Sequence, residues 1–288
     1  MQNFNSLIVN LLKLTRINKP IGIILLLIPA FGGLIVANNY NGNIWLVFFL
    51  GAIIMRSSGC IINDLLDQKF DKETTRAQNR PLAKKAITNK TALILLLLLL
   101  SLGLLLLLQL NIKTIIYASL LVMPMIAIYP LAKRVTFYPQ IFLAIVFNSP
   151  FLLALTASEV NINFIHFFCY LSLAIWTTVY DTIYAFQDLQ DDIKNNVKSL
   201  TIKIYPYQKP ILLILNFLQW LILLILPYYL TTVNLSLFYF APILFAITYS
   251  SSIIRKLDFT NSQECSKAFS KQQIIGFLYL MIFANFAI

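Results

Sequence analysis

Nine uncharged apolar stretches, each close to 20 residues, recur along the chain and constrain its fold more than any other feature. They run over 21–37, 44–62, 91–110, 114–131, 140–157, 164–180, 210–230, 235–254 and 272–288, and only Arg56 interrupts one of them. A bilayer-spanning helix needs about 20 mainly apolar residues, because hydrocarbon offers backbone polar groups no partner outside the helix. Of the 288 residues, 59% are hydrophobic and 11% charged, against about 25% charged in a soluble domain. Soluble, disordered, collagen, coiled-coil and disulfide-scaffold classes are excluded. Cys60, Cys169 and Cys265 lie too far apart in sequence for a disulfide framework or zinc motif and read as buried apolar thiols. The expectation is an all-α polytopic membrane protein, a single integral-membrane domain over 1–288 with nine transmembrane helices. A short interfacial helix is expected over Phe4–Leu14, and an uncleaved signal anchor over 13–37.

Basic residues set the expected orientation. With the N-terminus placed in the cytoplasm, 21 of the 22 Lys and Arg fall on the cytoplasmic side and only Lys113 on the other. That is the positive-inside pattern. The net charge of +11 is then topology, and no nucleic-acid partner is expected. Lone His166 reads as an interfacial residue on the far side, not a ligand.

Ten of the eleven acidic residues share the cytoplasmic side, and eight of them form two clusters that continue apolar helices out of the membrane. Asn63, Asp67 and Asp71 fall on one helix face, and Asp64 nearly eclipses Asp71. Asp181, Asp188 and Asp192 line a second stripe with Tyr184 between them, while Asp191 points off it. Carboxylates crowded on one face repel one another unless a cation joins them. Two such faces opposed would form an all-oxygen cage, suited to Mg²⁺ completed by water and substrate phosphate. Arg80, Lys133, Arg134 and Lys198 in neighbouring loops supply phosphate-binding charge. Membrane lipid head groups account for Lys84, Lys85 and Lys90. Acid, base and lipid-facing walls together suggest an amphiphilic diphosphate substrate.

The motifs resemble a known family. Asn63-Asp64-Leu65-Leu66-Asp67-Gln68-Lys69-Phe70-Asp71 is similar to the first aspartate motif of the UbiA prenyltransferase superfamily. Tyr180-Asp181-Thr182-Ile183-Tyr184-Ala185 resembles the second, in the form found in its 4-hydroxybenzoate polyprenyltransferases. Arg16-Ile17-Asn18-Lys19-Pro20-Ile21-Gly22, Asn79-Arg80-Pro81-Leu82, Lys133-Arg134-Val135-Thr136 and Val197-Lys198-Ser199 agree in order. Lys85, Asn196 and Ala144 stand where the family usually has glycine.

The resemblance implies nine helices around a central cavity, capped on the cytoplasmic side by segments carrying the aspartates. It implies transfer of an all-trans polyprenyl group from polyprenyl diphosphate to the 3-position of 4-hydroxybenzoate, with release of diphosphate, in ubiquinone biosynthesis. The implied location is the cell inner membrane. Asn63, Asp64, Asp67, Asp71, Asp188, Asp191 and Asp192 would hold Mg²⁺. Arg16, Arg56, Arg80, Lys133 and Lys198 would bind substrate, with Arg134, Asp181 and Tyr184 at the reaction. Asp181 would partner the phenol, the ring faces of Tyr184 and Phe147 would stabilise an allylic cation, and Arg16, Arg56 and Arg134 all remain candidates for the benzoate carboxylate. Haem or naphthoate prenylation within the superfamily is the alternative. A secondary transporter is the different-class alternative; it would place ionisable groups near the bilayer midplane.

Overall fold

Capping side chains set where several of the apolar helices begin. Asn41, Thr88, Asn111 and Asn163 each accept a backbone N–H of the first turn that follows, satisfying donors that a helix start leaves orphaned. His166 completes the last of these caps: its Nδ1 accepts the Asn163 N–H at 3.1 Å, so its imidazole closes a helix end. The computed structural model describes residues 4–229 and 237–286. Residue 230 of the seventh expected span, 235–236 of the eighth and 287–288 of the ninth lie outside the described residues.

Helices follow in the order α1 (Phe4–Leu14), α2 (Ile21–Val36), α3 (Gly42–Leu66), α4 (Gln68–Glu73), α5 (Asn89–Leu107), α6 (Ile112–Tyr117), α7 (Met123–Val135), α8 (Pro139–Ala157), α9 (Phe164–Ala185), α10 (Leu189–Lys194), α11 (Leu200–Ile204), α12 (Gln208–Ile225), α13 (Leu237–Lys256), α14 (Ser262–Ser270) and α15 (Gln272–Phe283). No strand occurs among the described residues. Four helices there are long and apolar enough to cross a membrane: Gly42–Leu66, Asn89–Leu107, Pro139–Ala157 and Gln208–Tyr228. α6 and α7 are joined by a π-helical turn, Ala118–Val122. Pro124 stands two residues after it, and its ring nitrogen cannot donate to the helix ladder.

Helix packing makes one half of the bundle hollow and the other solid. α2 packs on α3, α8 and α15, while α9 packs on α8 and α12, and α13 on α12 and α15. In the solid half, Trp220 stacks on Tyr279 at 4.8 Å and Trp176 lies 5.2 Å from the same ring. Buried Ser172 donates to the Gln219 carbonyl at 2.8 Å, and Trp176 Nε1 to Gln272 Oε1 at 2.9 Å. The hollow half holds a cavity of about 1420 Å³ walled by α2, α3, α5, α7, α8 and α9. Among the described residues α12 and α13 contribute nothing to its lining. The expectation of one cavity at the centre of all the helices is corrected accordingly: large aromatic side chains fill the space that α12 and α13 face.

Two loops at the aspartate-bearing end adopt backbone that glycine would take without strain. Lys85 and Asn196 have φ of 57° and 53°, in the left-handed region that costs a side-chain-bearing residue about 1–2 kcal/mol.

The α2–α8 contact rests on Gly33. A Cβ there would lie 2.4 Å from the Phe151 carbonyl oxygen, a backbone atom that cannot swing aside. Gly33→Ala is expected to destabilise the detergent-solubilised protein by at least about 2 kcal/mol. Gly51→Ala, where a Cβ meets nothing within 4 Å, is expected to leave thermal unfolding unchanged or raise it slightly.

Candidate active site

The two aspartate stripes lie on opposite walls of the cavity, at one end, and the helices that carry them both break there. α3 ends at Leu66 and α4 begins at Gln68, with Asp67 at the bend (φ −99°, ψ 6°). The ladder nonetheless continues, Asp67 N to the Asn63 carbonyl at 2.9 Å and Asp71 N to the Asp67 carbonyl at 2.8 Å. Asn63, Asp64, Asp67 and Asp71 therefore all reach the cavity. On the other wall α9 gives way to a 3₁₀ turn, Phe186–Asp188, before α10. Asp181, Tyr184, Asp188 and Asp192 line the cavity from that side. Asp191 is absent from the lining; its Oδ2 accepts the Thr75 N–H at 2.9 Å instead.

Guanidinium groups, not a carboxylate cage, balance these acids. Arg16 donates from Nη2 to both oxygens of Asp64 at 2.9 and 3.1 Å. Arg80 Nη1 reaches Asp64 Oδ1 at 3.1 Å and both oxygens of Asp71 at 2.9 and 2.8 Å. Arg76 bridges to the opposite wall, holding Asp188 through Nε at 2.9 Å and through Nη2, and the Tyr184 hydroxyl through Nη1 at 2.9 Å. Among the described residues no three His, Cys, Asp or Glu side chains group closely enough to hold a metal as they stand. In this arrangement arginines supply the countercharge that crowded carboxylates require. Burial pushes the Asp71 carboxyl up to about 6, against the pull of Arg80.

Arg76 is the residue that sequence reasoning missed among the site groups. Its signal was its spacing: it stands four residues before Arg80, so one turn of chain presents two guanidiniums to the two stripes. Tyr184, expected to offer its ring face, is already engaged. Arg76 lies 5.0 Å from the Tyr184 centroid and Phe269 4.5 Å from it. Phe147 lines the cavity and meets Tyr180 edge-on at 6.5 Å.

The remaining basic residues divide into committed and available groups. Arg16 is committed to Asp64, in a left-handed backbone (φ 59°) fixed by Nη1 donating to the Lys13 carbonyl at 2.7 Å. Such strain persists only where surrounding contacts over-determine it. Lys198 Nζ donates to the Val135 carbonyl at 3.2 Å, tying the loop before α11 to the end of α7. Arg134 has an exposed side chain on the cavity lining, whereas the Lys133 side chain lies outside the described residues. Arg56 is half-buried in the wall with Nε enclosed, Tyr129, Tyr180 and Tyr184 lie in its electrostatic surroundings, and its charge is felt by Asp181. Its Nε has no hydrogen-bond partner among the described residues. Gly22 makes room for it, since a Cβ there would fall 2.4 Å from Nε.

Deeper in, the cavity becomes apolar. Leu25, Ala30, Val47, Phe48, Leu107 and Leu153 line it toward the far side. The whole is a charged mouth on a long hydrocarbon chamber, shaped for an anionic head group with an apolar tail.

Comparison with known proteins agrees with this geometry. The model of the UbiA prenyltransferase family matches residues 26–282. The chain is 37% identical over 280 residues to the mitochondrial 4-hydroxybenzoate polyprenyltransferase of Dictyostelium discoideum, covering 94% of this chain and 59% of that one. It is 35% identical over 269 residues to a 4-hydroxybenzoate octaprenyltransferase of Aliivibrio fischeri, covering 92% of this chain and 91% of that one. In fold it is similar to a UbiA homologue from Aeropyrum pernix K1 (TM-score 0.72, 18% identity, 89% and 94% of the two chains). It is also similar to one from Archaeoglobus fulgidus bound to GPP and Mg²⁺ (TM-score 0.60, 16% identity, 96% and 99%).

Removing one guanidinium from this network leaves buried like charges facing each other. The side chains of Asp64 and Asp71 are 2% and 9% exposed, so Arg80→Ala is expected to cost about 3 kcal/mol in unfolding free energy. The Arg80→Ala/Asp71→Asn double variant is expected to recover part of that loss. A double variant no more stable than the single would show that charge burial is not the cause.

Proposed function

The chain belongs to the UbiA prenyltransferase family, and from that premise we propose that it transfers a polyprenyl group from polyprenyl diphosphate to the 3-position of 4-hydroxybenzoate, releasing diphosphate. The reading includes nine membrane-spanning helices, an inner-membrane location, and the N-terminus and charged mouth on the cytoplasmic side with the aspartate segments as caps. The single observation that carries it is the joining of both aspartate stripes to one apolar chamber through one charged mouth. A transporter site would be expected at mid-membrane depth, whereas the acids of this chamber gather at one end.

The donor set suits a hard divalent cation. Asn63, Asp64, Asp67, Asp71, Asp188 and Asp192 offer oxygen only, without His or Cys, as Mg²⁺ prefers. Asp191 belongs to this set by sequence, although its carboxylate is engaged by Thr75. When bound, Mg²⁺ supplies neutralisation of the charge that develops on the departing diphosphate.

The chain's own groups do the rest. Arg80 and Arg134 hold the diphosphate oxygens at the mouth, where charge grows as the C1–O bond breaks, with Lys133 and Lys198 assigned to the same role by sequence alone and Lys198 having to leave the Val135 carbonyl to take it up. The apolar depth takes the tail and keeps water from the allylic C1 cation. Phe147 turns a ring toward that cation, and Tyr184 joins it once its ring is free of Arg76. With Arg16 committed to Asp64, Arg56 is the anchor for the acceptor carboxylate. Asp181, beside it, accepts the phenol proton as the ring carbon ortho to the hydroxyl bonds to C1 and the C1–O bond to diphosphate breaks; that carbon's own proton then passes to the departing diphosphate, and Asp181 returns its proton to the phenol oxygen as aromaticity is restored. Both substrates thus meet on the α9 wall.

The test is incubation of membranes containing the protein with 4-hydroxybenzoate, a polyprenyl diphosphate and Mg²⁺, with mass spectrometry of the product. The 3-polyprenyl acid and equimolar diphosphate are expected; absence of both would overturn the reading. Asp67→Ala and Asp188→Ala are expected to abolish product while the protein still inserts.

Arg134→Lys and Arg56→Lys separate the two binding functions. A planar fork is lost in each, and an ammonium cannot reproduce two parallel hydrogen bonds. Arg134→Lys is expected to lose at least about tenfold in kcat/KM for the diphosphate, or about 1.4 kcal/mol. Arg56→Lys is expected to raise KM for 4-hydroxybenzoate by a similar factor and leave KM for the diphosphate unchanged.

A further inference from the structure

The segment that follows α4 crosses the cavity mouth to the second aspartate motif, and Arg76 makes the crossing. Three of its nitrogens are occupied there: Nε and Nη2 by the two oxygens of Asp188, Nη1 by the Tyr184 hydroxyl. The Thr75 N–H adds a bond to Asp191 next door. Arg80 balances the first motif in a similar way, but the two pairings differ in access. The acids held by Arg80 are almost wholly buried, whereas the side chains of Arg76 and Asp188 are 31% and 17% exposed. The pairing around Arg80 is built into the fold. That around Arg76 stands open to an incoming ion.

We propose that Arg76 is an exchangeable counter-ion of Asp188: it ties the two aspartate motifs together in the cation-free enzyme and must leave Asp188 when a divalent cation binds there. This rests on the reading of Asp188 as a cation ligand. The bidentate contact spends both carboxylate oxygens on the guanidinium. Mg²⁺ would need such an oxygen at about 2.0–2.1 Å, which sets a divalent charge against a fixed positive one in a half-buried mouth where like charges repel strongly. An arginine cannot relieve this by losing a proton; it can only move. Asp71 and Arg80 also face the same space, but their pairing is the same in the wild type and in Arg76→Gln, so it does not enter the comparison between them. Cation binding therefore works against the contact between the motifs, and the free enzyme holds Mg²⁺ more weakly than its oxygens alone would allow. Arg76 is in this sense a positioning residue: it arranges Asp188 and Tyr184 before substrate arrives.

The test uses the full-length protein in nanodiscs without substrate. Mg²⁺ binding is measured by calorimetry for the wild type, Arg76→Gln, Asp188→Asn and the Arg76→Gln/Asp188→Asn double variant. Arg76→Gln is expected to bind Mg²⁺ at least about tenfold more tightly, and the double variant to lose that gain. Hydrogen exchange provides a second readout: Mg²⁺ is expected to speed exchange over residues 74–80 in the wild type, and to have no effect there in Arg76→Gln, where exchange is already fast. Tyr184→Phe, which removes only one of the three contacts, guards against a misfolded Arg76→Gln and is expected to tighten Mg²⁺ binding about two- to threefold. Equal or weaker binding in both Arg76→Gln and Tyr184→Phe would overturn the exchange while leaving Asp188 a ligand. Unchanged affinity in Asp188→Asn would overturn the ligand reading and the exchange with it.

Discussion

Charge compensation in a water-poor mouth is the constraint from which the rest of this structure follows. Carboxylates cannot be left unpaired where burial is deep, yet a chamber meant for an anionic head group needs positive charge on its walls. The protein meets both demands with the same residues. Arg16, Arg76 and Arg80 each reach across from a loop or helix end to an acid on α3, α4 or the turn after α9. These long-range pairs fix where the loops lie, so the mouth is assembled by its own electrostatics.

The division of the bundle into a solid and a hollow half gives that mouth its depth. Stacked aromatic rings of α9, α12, α13 and α15 hold one flank rigid, while α2, α3 and α8 leave space beside it. Gly33 lets α2 and α8 approach closely, and Gly22 lets Arg56 lie against α2. Small residues thus set both the helix spacing and the position of one half-buried charge. The π turn before Pro124 puts Ala118 and Val122 on the chamber wall, so an irregularity in the helix ladder contributes to the shape of the tail site.

Much of this was legible in the sequence, for identifiable reasons. Apolar runs report helices well because hydrocarbon leaves the backbone no other solution. The period of 3.6 put Asp181, Asp188 and Asp192 on the chamber and Asp191 off it, and the fold agrees even though a 3₁₀ turn interrupts the stripe. Other features were hidden because they depend on distant partners. Spacing puts Arg76 beside Arg80 but does not say that it joins Asp188, 112 residues on, and nothing local marks Arg16 as the partner of Asp64 forty-eight residues away. The bend at Asp67 and the filling of the α12–α13 flank are likewise products of packing, which periodicity does not encode.

A map of the protein in nanodiscs with Mn²⁺ and a non-hydrolysable polyprenyl thiodiphosphate tests the central claim most directly, since Mn²⁺ is electron-dense and accepts the same oxygen donors. The account predicts the ion between the Asp64–Asp71 stripe and Asp188, with the diphosphate at the arginine-lined mouth and the tail running past Phe147 toward Leu153. An ion held by one stripe alone, or a tail lying outside the chamber, would contradict it.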